Sequence, residues 1–265
     1  EREYETERTL PAFFDSELAP RGLRATWIRA PNEGPERDRL RGLPEALRDA
    51  DLVFLSVRRR APLKEELDAL REHLRKGKPL VAIRTSSHAF DTRGAVPEGH
   101  ADWPRFDREV LGGTYTGHYG DGEVAVSVAD GAREHPILRG ISIERSEKLY
   151  RSTPLLEGAT PLLYGRIPNE APEPIAWTHR FGEGRARIFY TSMGVPGDFE
   201  SEAFRGLLVR AIFWAIERDV PAKDSSKKPE DTTTSPVPLE PSRAGGGPAR
   251  DEGLEEGDAP RSPGE

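Results

Sequence analysis

At 265 residues, 35% of them hydrophobic and 32% charged, the chain is long enough for one sizeable domain but poor in core-forming side chains. Its formal charge of −7 argues against general binding to the phosphate backbone of nucleic acid. The absence of cysteine excludes disulfides and thiolate chemistry, and no apolar run approaches the ~20 residues that span a bilayer.

No signal peptide is present, and the chain opens on Glu1 rather than Met, as expected of a processed or partial sequence. The compartment stays open between cytoplasmic and, if a leader was removed, exported. The oligomeric state is equally open.

In chain order, Thr6 to Leu18 reads as a helix, with Leu10, Phe13, Phe14 and Leu18 at helical spacing. Leu23 to Ala30 reads as a strand and Leu43 to Asp49 as a short helix. The unbroken apolar run of Asp51 to Val57 predicts a buried strand. Pro62 to Lys76 is a helix with Leu63, Leu67, Leu70 and Leu74 on one face, closed by Gly77, and His73 is expected to be exposed on it. Pro79 to Ile83 is the next strand. Trp103 to Leu111 suggests a helix, followed by the Gly-rich 112–120 segment. Strands are then expected over Glu123 to Val128, Thr160 to Tyr164, Pro174 to Thr178 and Arg185 to Thr191. Phe204 to Glu217 is an amphipathic closing helix.

From Ala222 onward there is no aromatic residue and the large aliphatics number three, Val237, Leu239 and Leu254. That composition cannot offset the entropy of ordering, so 222–265 is expected to be a disordered tail and 1–221 the folded domain. The tail carries −4 of the charge and the domain −3. Strand–helix alternation followed by further strands predicts an α/β, doubly wound, mostly parallel sheet with an antiparallel extension. Such a domain normally opens on a buried strand, whereas helix signal starts here within the first turn or two. A first strand is therefore expected to be missing.

Ligands of open α/β sheets bind beyond the carboxyl ends of the parallel strands. Arg58-Arg59-Arg60, Arg84 to His88, and Gly194 to Asp198 each follow a strand, and Glu1 to Thr6 would join them there. Ser86 and Ser87 suit a helix N-cap as well as a binding rim. No Gly-x-Ser-x-Gly pattern occurs, and His88 lies too close to Ser86 in sequence to imply a triad. His135, before Pro136, suits a structural turn. His88, His118 and His179 are placed on loops, where binding residues concentrate. Two loop histidines with a carboxylate such as Asp91, Asp102 or Asp121 could ligate a divalent metal, but the tight spacing of a metal motif is absent.

The stretches "RTSSHAFD", "WPRFDREVLGGTYTGHYG", "HPILRGI", "EPIAWTHRFGEGRARIFYTSMG" and "FRGLLVRAIFWAIE" together resemble the ThuA-like family, named for trehalose utilization. The likeness runs from about Glu3 to Glu217. It implies the flavodoxin-like fold of class I glutamine amidotransferases, with an apolar strand ahead of "EREYETERTLPAF". In those relatives the strand matching Pro79 to Ile83 ends in the nucleophilic cysteine. The matching residue here is Arg84, give or take one, so thiolate amidotransfer is excluded. Relatives often read Gly-His-Pro where this chain has Gly194-Val195-Pro196.

Two functions are therefore expected to compete. The first is action on, or binding of, a sugar (trehalose-type or an oxidised disaccharide). Arg84, His88 and His118 would be its reactive groups, and Ser86, Ser87, Tyr4, Tyr115 and Tyr119 its binding groups. The second is a non-catalytic ligand-binding or interaction module on the same fold, which Val195 and the missing thiol favour. A buried Arg84 would need Glu3, Asp198 or a ligand anion as its partner.

Overall fold

The computed structural model describes residues 2–120, 122–224, 226 and 231–233. In chain order the strands are β1 (Ala25–Trp27), β2 (Val53–Leu55), β3 (Leu80–Ile83), β4 (Gly117–His118), β5 (Val124–Val128), β6 (Arg145–Ser146), β7 (Tyr150–Arg151), β8 (Thr160–Arg166), β9 (Glu173–Phe181), β10 (Ala186–Thr191) and β11 (Asp231–Thr233). The helices are α1 (Thr6–Phe13), α2 (Leu43–Asp49), α3 (Lys64–Arg75), α4 (Pro196–Glu200) and α5 (Glu202–Ala215).

Seven strands form the main sheet in the order β2-β3-β10-β9-β8-β5-β6. β2, β3 and β10 run parallel, whereas β9, β8, β5 and β6 are added antiparallel. The sheet is thus mixed, not mostly parallel. Short connections account for this: β9 and β10 are joined by a tight turn at Gly182 and Arg185, which closes a hairpin but cannot carry a parallel crossover. β1 lies outside the main sheet and pairs in parallel with β11.

The parallel strands sit in the middle of the molecule because both of their faces are apolar. Val81 and Ile83 pack into one core with Phe13, Phe189, Leu208 and Ile212. Leu80 and Ala82, one residue out of phase, pack into a second core with Leu67, Leu70, Leu74 and Ile188. α5 therefore covers one face and α3 the other, giving three layers with β3 fully enclosed.

Several elements differ from the sequence reading. The helix predicted over Trp103 to Leu111 is reduced to a wide turn at Asp107–Leu111. His73 is 2% exposed, not a surface residue, and its Nε2 lies 3.3 Å from the Pro79 carbonyl. It lies three residues beyond Leu70, at the margin of the apolar stripe, and so turns inward. Where the tail was expected to begin, Asp224 N–H donates to Pro20 O and Lys223 pairs with Glu17 at 2.9 Å. Most of the remainder of the predicted tail lies outside the described residues.

Candidate functional site

The carboxyl end of β3 changes direction abruptly. Ile83 is extended at φ −127°, and Arg84 then takes φ +49°, after which Arg84–His88 forms a tight helical turn. The left-handed conformation is unfavourable for arginine, by an amount of order 1–3 kcal/mol. Two other arginines of the same region share it, Arg59 at φ +47° and Arg93 at φ +53°.

Arg84 is 1% exposed. Its guanidinium lies 4.0 Å from the Tyr150 ring centre and 4.5 Å from that of Tyr4. It donates to Ser192 O at 2.6 Å and to the Tyr4 hydroxyl at 3.2 Å, while Tyr190 donates to the Arg84 carbonyl at 2.6 Å. Burial pushes the Tyr150 and Tyr190 phenols well up, so both are neutral at neutral pH. The π faces of Tyr150 and Tyr4, not a counter-charge, stabilise the guanidinium.

The carboxylate partners expected for Arg84 are engaged elsewhere. Glu3 pairs with Arg58 at 2.6 Å. Asp198 accepts from Gly194 N–H at 2.7 Å, Val195 N–H at 3.1 Å and Ser146 Oγ at 3.1 Å, fixing the turn after β10. Among the described residues Arg84 makes no ion pair, and its Nε is buried without an acceptor, as are the neighbouring hydroxyls of Thr85 and Ser192 without partners.

His88 closes the turn at 6% exposure. Its ring centre is 4.5 Å from that of Tyr115 and 6.2 Å from that of Tyr150, and its Nδ1 lies 3.1 Å from Ser87 Oγ. Burial first, and then the charges of Arg59, Arg58, Arg93 and Arg84, push its pKa down to about 2. It is a neutral imidazole at any physiological pH.

Tyr115 is half-buried and its backbone N–H donates to Asp107 Oδ2 at 2.8 Å. Burial lifts the Asp107 carboxyl to about 6, against the N–H groups of Tyr115 and Arg108. The Gly-rich loop can lie against the sheet because two of its positions exclude a side chain. A Cβ on Gly112 would fall 2.6 Å from the His179 ring, and one on Gly113 would fall 2.6 Å from Trp177.

The predicted residues divide accordingly. Arg84, His88, Tyr4 and Tyr115 converge, together with Tyr150. Ser87 touches His88, whereas Ser86 is committed to the sheet, donating to Leu55 O at 2.9 Å. His118 is exposed on β4, with Nδ1 3.0 Å from Tyr119 O, and no contact joins it to His88 although its backbone pairs with Tyr150. Tyr119 belongs to a separate group: its hydroxyl donates to Glu173 Oε1 at 3.1 Å and Arg151 covers its ring at 4.4 Å. His179 is on β9, not on a loop. Among the described residues no three His, Asp or Glu side chains converge as a metal site, and Asp121 lies outside them.

The sequence reading missed Tyr150, Asp107, Arg93 and Tyr190. Tyr150 comes from a two-residue strand with no pattern of its own, and Arg93 from a loop where its backbone conformation leaves no trace in composition. The two described surface grooves lie elsewhere, about 650 Å³ against Glu123 and Arg166 and about 370 Å³ against Arg180 and Arg187. At the strand end Arg84 and His88 are buried and Tyr115 is half-buried.

The sequence over residues 38–215 matches the ThuA family model, described as trehalose utilisation. Among solved structures, a ThuA-like protein from Parabacteroides merdae is similar over 87% of this chain and 92% of its own, at 15% identity and a TM-score of 0.62. A ThuA-like protein from Bacteroides uniformis is similar over 70% of this chain and 75% of its own, at 21% identity and a TM-score of 0.50. No curated protein matches the chain.

Proposed function

The chain belongs to the ThuA family of trehalose utilisation, and on that premise we propose that it binds and acts on a sugar at the carboxyl ends of β3 and β10. The observation that carries this reading is the neutral His88 ring, held between Tyr115 and Ser87 at the mouth of a buried arginine–tyrosine cluster. A neutral imidazole can accept a proton from a hydroxyl, and Tyr115, half-buried, offers a face for a sugar ring. Arg59 and Arg93 would polarise an oxygen beside it. On this reading the fold is that of class I glutamine amidotransferases. The parallel trio β2, β3 and β10 and the left-handed residue at the end of β3 support it. Arg84 stands where the thiol would be, so the chemistry is not amidotransfer.

A second reading, a binding module without catalysis, is favoured by one feature. Among the described residues no carboxylate bonds to His88, and Val195 brings no second base, being buried with its N–H on Asp198.

The test is thermal unfolding of the protein with a panel of neutral and oxidised mono- and disaccharides. A true ligand at ~100 times its Kd adds about 2.7 kcal/mol to stability. His88→Gln should abolish turnover of that ligand with the fold retained. Binding of a sugar by the wild type with no turnover would select the module, and turnover unchanged in the variant would remove His88 from the chemistry. No stabilisation by any sugar would contradict both.

A further inference from the structure

The half-buried carboxyl of Asp107, at the start of the wide turn Asp107–Leu111, has no part in the chemistry proposed for His88. Both of its oxygens are nonetheless committed. Oδ1 accepts from Arg108 N–H at 2.6 Å and Oδ2 from Tyr115 N–H at 2.8 Å. Its backbone carbonyl takes Gly113 N–H at 3.3 Å, so one residue gathers the Gly-rich loop at two points.

What this gathering fixes is the Tyr115 ring. The loop on either side of it is held by other elements: Gly112 O accepts from Leu156 N–H at 2.8 Å, and Thr116 N–H donates to Arg151 O at 2.9 Å. The amide of Tyr115 itself is held by Asp107. Its ring then meets His88 at 4.5 Å and Tyr150 at 4.8 Å, centre to centre. Tyr150 is seated independently, because β7 pairs with β4. A hydrogen bond to an ionised carboxylate is about twice as strong as one between neutral groups, so this anchor has its full strength only while Asp107 is charged.

We propose that Asp107 is a positioning residue, which through the Tyr115 amide seats the Tyr115 ring against His88 and so shapes the face on which a sugar lies. The proposal rests on the sugar reading for the use of that face, and adds the regulation of the same site. Burial, against the two N–H groups and with the nearby charge of Asp91, brings the Asp107 carboxyl to about 6. As pH falls through that value it takes up a proton, one carbonyl oxygen is left for two N–H groups, and the seat loosens. The other titratable groups at this turn are Tyr115, Tyr190 and His179, the phenols pushed up by burial and the imidazole pushed down.

The experiment is NMR of the full chain from about pH 7 to about pH 5, wild type beside Asp107→Asn and Asp107→Ala, followed by titration of each with the mono- and disaccharide panel. Asn keeps one acceptor for Tyr115 and does not titrate, whereas Ala keeps none. In the wild type the Tyr115 amide resonance and the Tyr115–His88 ring contacts should change together as pH falls through about 6. In Asp107→Asn they should stay flat, and in Asp107→Ala the ring contacts should be lost at every pH. Sugar affinity should follow, about tenfold weaker in Asp107→Ala, and declining with pH in the wild type but not in Asp107→Asn. Ring contacts intact in Asp107→Ala, or the same pH response in Asp107→Asn as in the wild type, would overturn the proposal. Should Asp107→Ala fail to fold, the wild-type and Asp107→Asn profiles decide alone. A sugar bound equally well by Asp107→Ala would overturn the positioning role and leave the sugar reading standing. Ring contacts that respond as described, in a protein that binds no sugar of the panel, would keep the positioning role and overturn the sugar reading.

Discussion

His73 and His88 are buried imidazoles held neutral, with pKa values pushed by burial to about 4 and about 2. In the unfolded chain each would titrate near 6.5. As pH falls below that value the unfolded state takes up a proton that the fold refuses. The stability they confer is complete above 6.5 and drains away as pH falls, by up to about 1.4 kcal/mol per pH unit for each group. Asp107 and Asp198, raised by burial, act in the opposite sense, so single variants are needed to isolate the effect. Between pH 7 and pH 5, urea unfolding should show the wild type losing about 1–2 kcal/mol more than His88→Gln. Equal losses would mean that His88 is not buried as a neutral ring. Arg84→Lys keeps the charge but cannot reach both Ser192 O and the Tyr4 hydroxyl. It should destabilise by about 1–3 kcal/mol, read from the same transitions.

Among the elements, the β9–β10 hairpin owes its place to contact between two glycines. A Cβ on Gly184 would meet Arg75 O at 2.5 Å and Gly77 N at 2.7 Å, both backbone atoms at the end of α3. Gly184→Ala should therefore cost about 1–3 kcal/mol by prising hairpin from helix. Gly120→Ala, with open space around its Cβ, should change stability by less than about 0.5 kcal/mol. A comparable loss in both would refute the contact. The elements legible in sequence were those with long periodic or unbroken apolar signals: α3 from its leucine stripe, β3 from an apolar run covered on both faces, α5 from its amphipathic pattern. The two-residue strands β4, β6 and β7 escaped because pairing alone defines them. The antiparallel extension was expected, but not that it would take four of the seven strands of the main sheet, since strand direction follows from connection geometry and not from residue type.

For the whole molecule, the same logic separates what the chain announces about its site from what it conceals. Arg84, Ser87 and His88 were readable because a buried strand must deliver its next residues to the sheet edge. Tyr150, arriving from far along the chain, and the left-handed backbones of Arg59, Arg84 and Arg93 were not, because neither sequence distance nor backbone sign has a local signature. His118 was drawn into the site by residue type, yet it is exposed and makes no contact with His88. The whole molecule then places its buried aromatic–arginine cluster at one end of the parallel strands and the Arg180–Arg187 groove at the other. This arrangement makes the central claim, a sugar site at the end of β3, a matter of location. The most direct measurement is amide and side-chain NMR shift mapping as a sugar found to stabilise the protein is titrated in. The account predicts that the largest shifts fall on Arg59, His88, Arg93 and Tyr115. Shifts centred instead on Glu123 and Arg166, or on Arg180 and Arg187, with His88 unmoved, would contradict it.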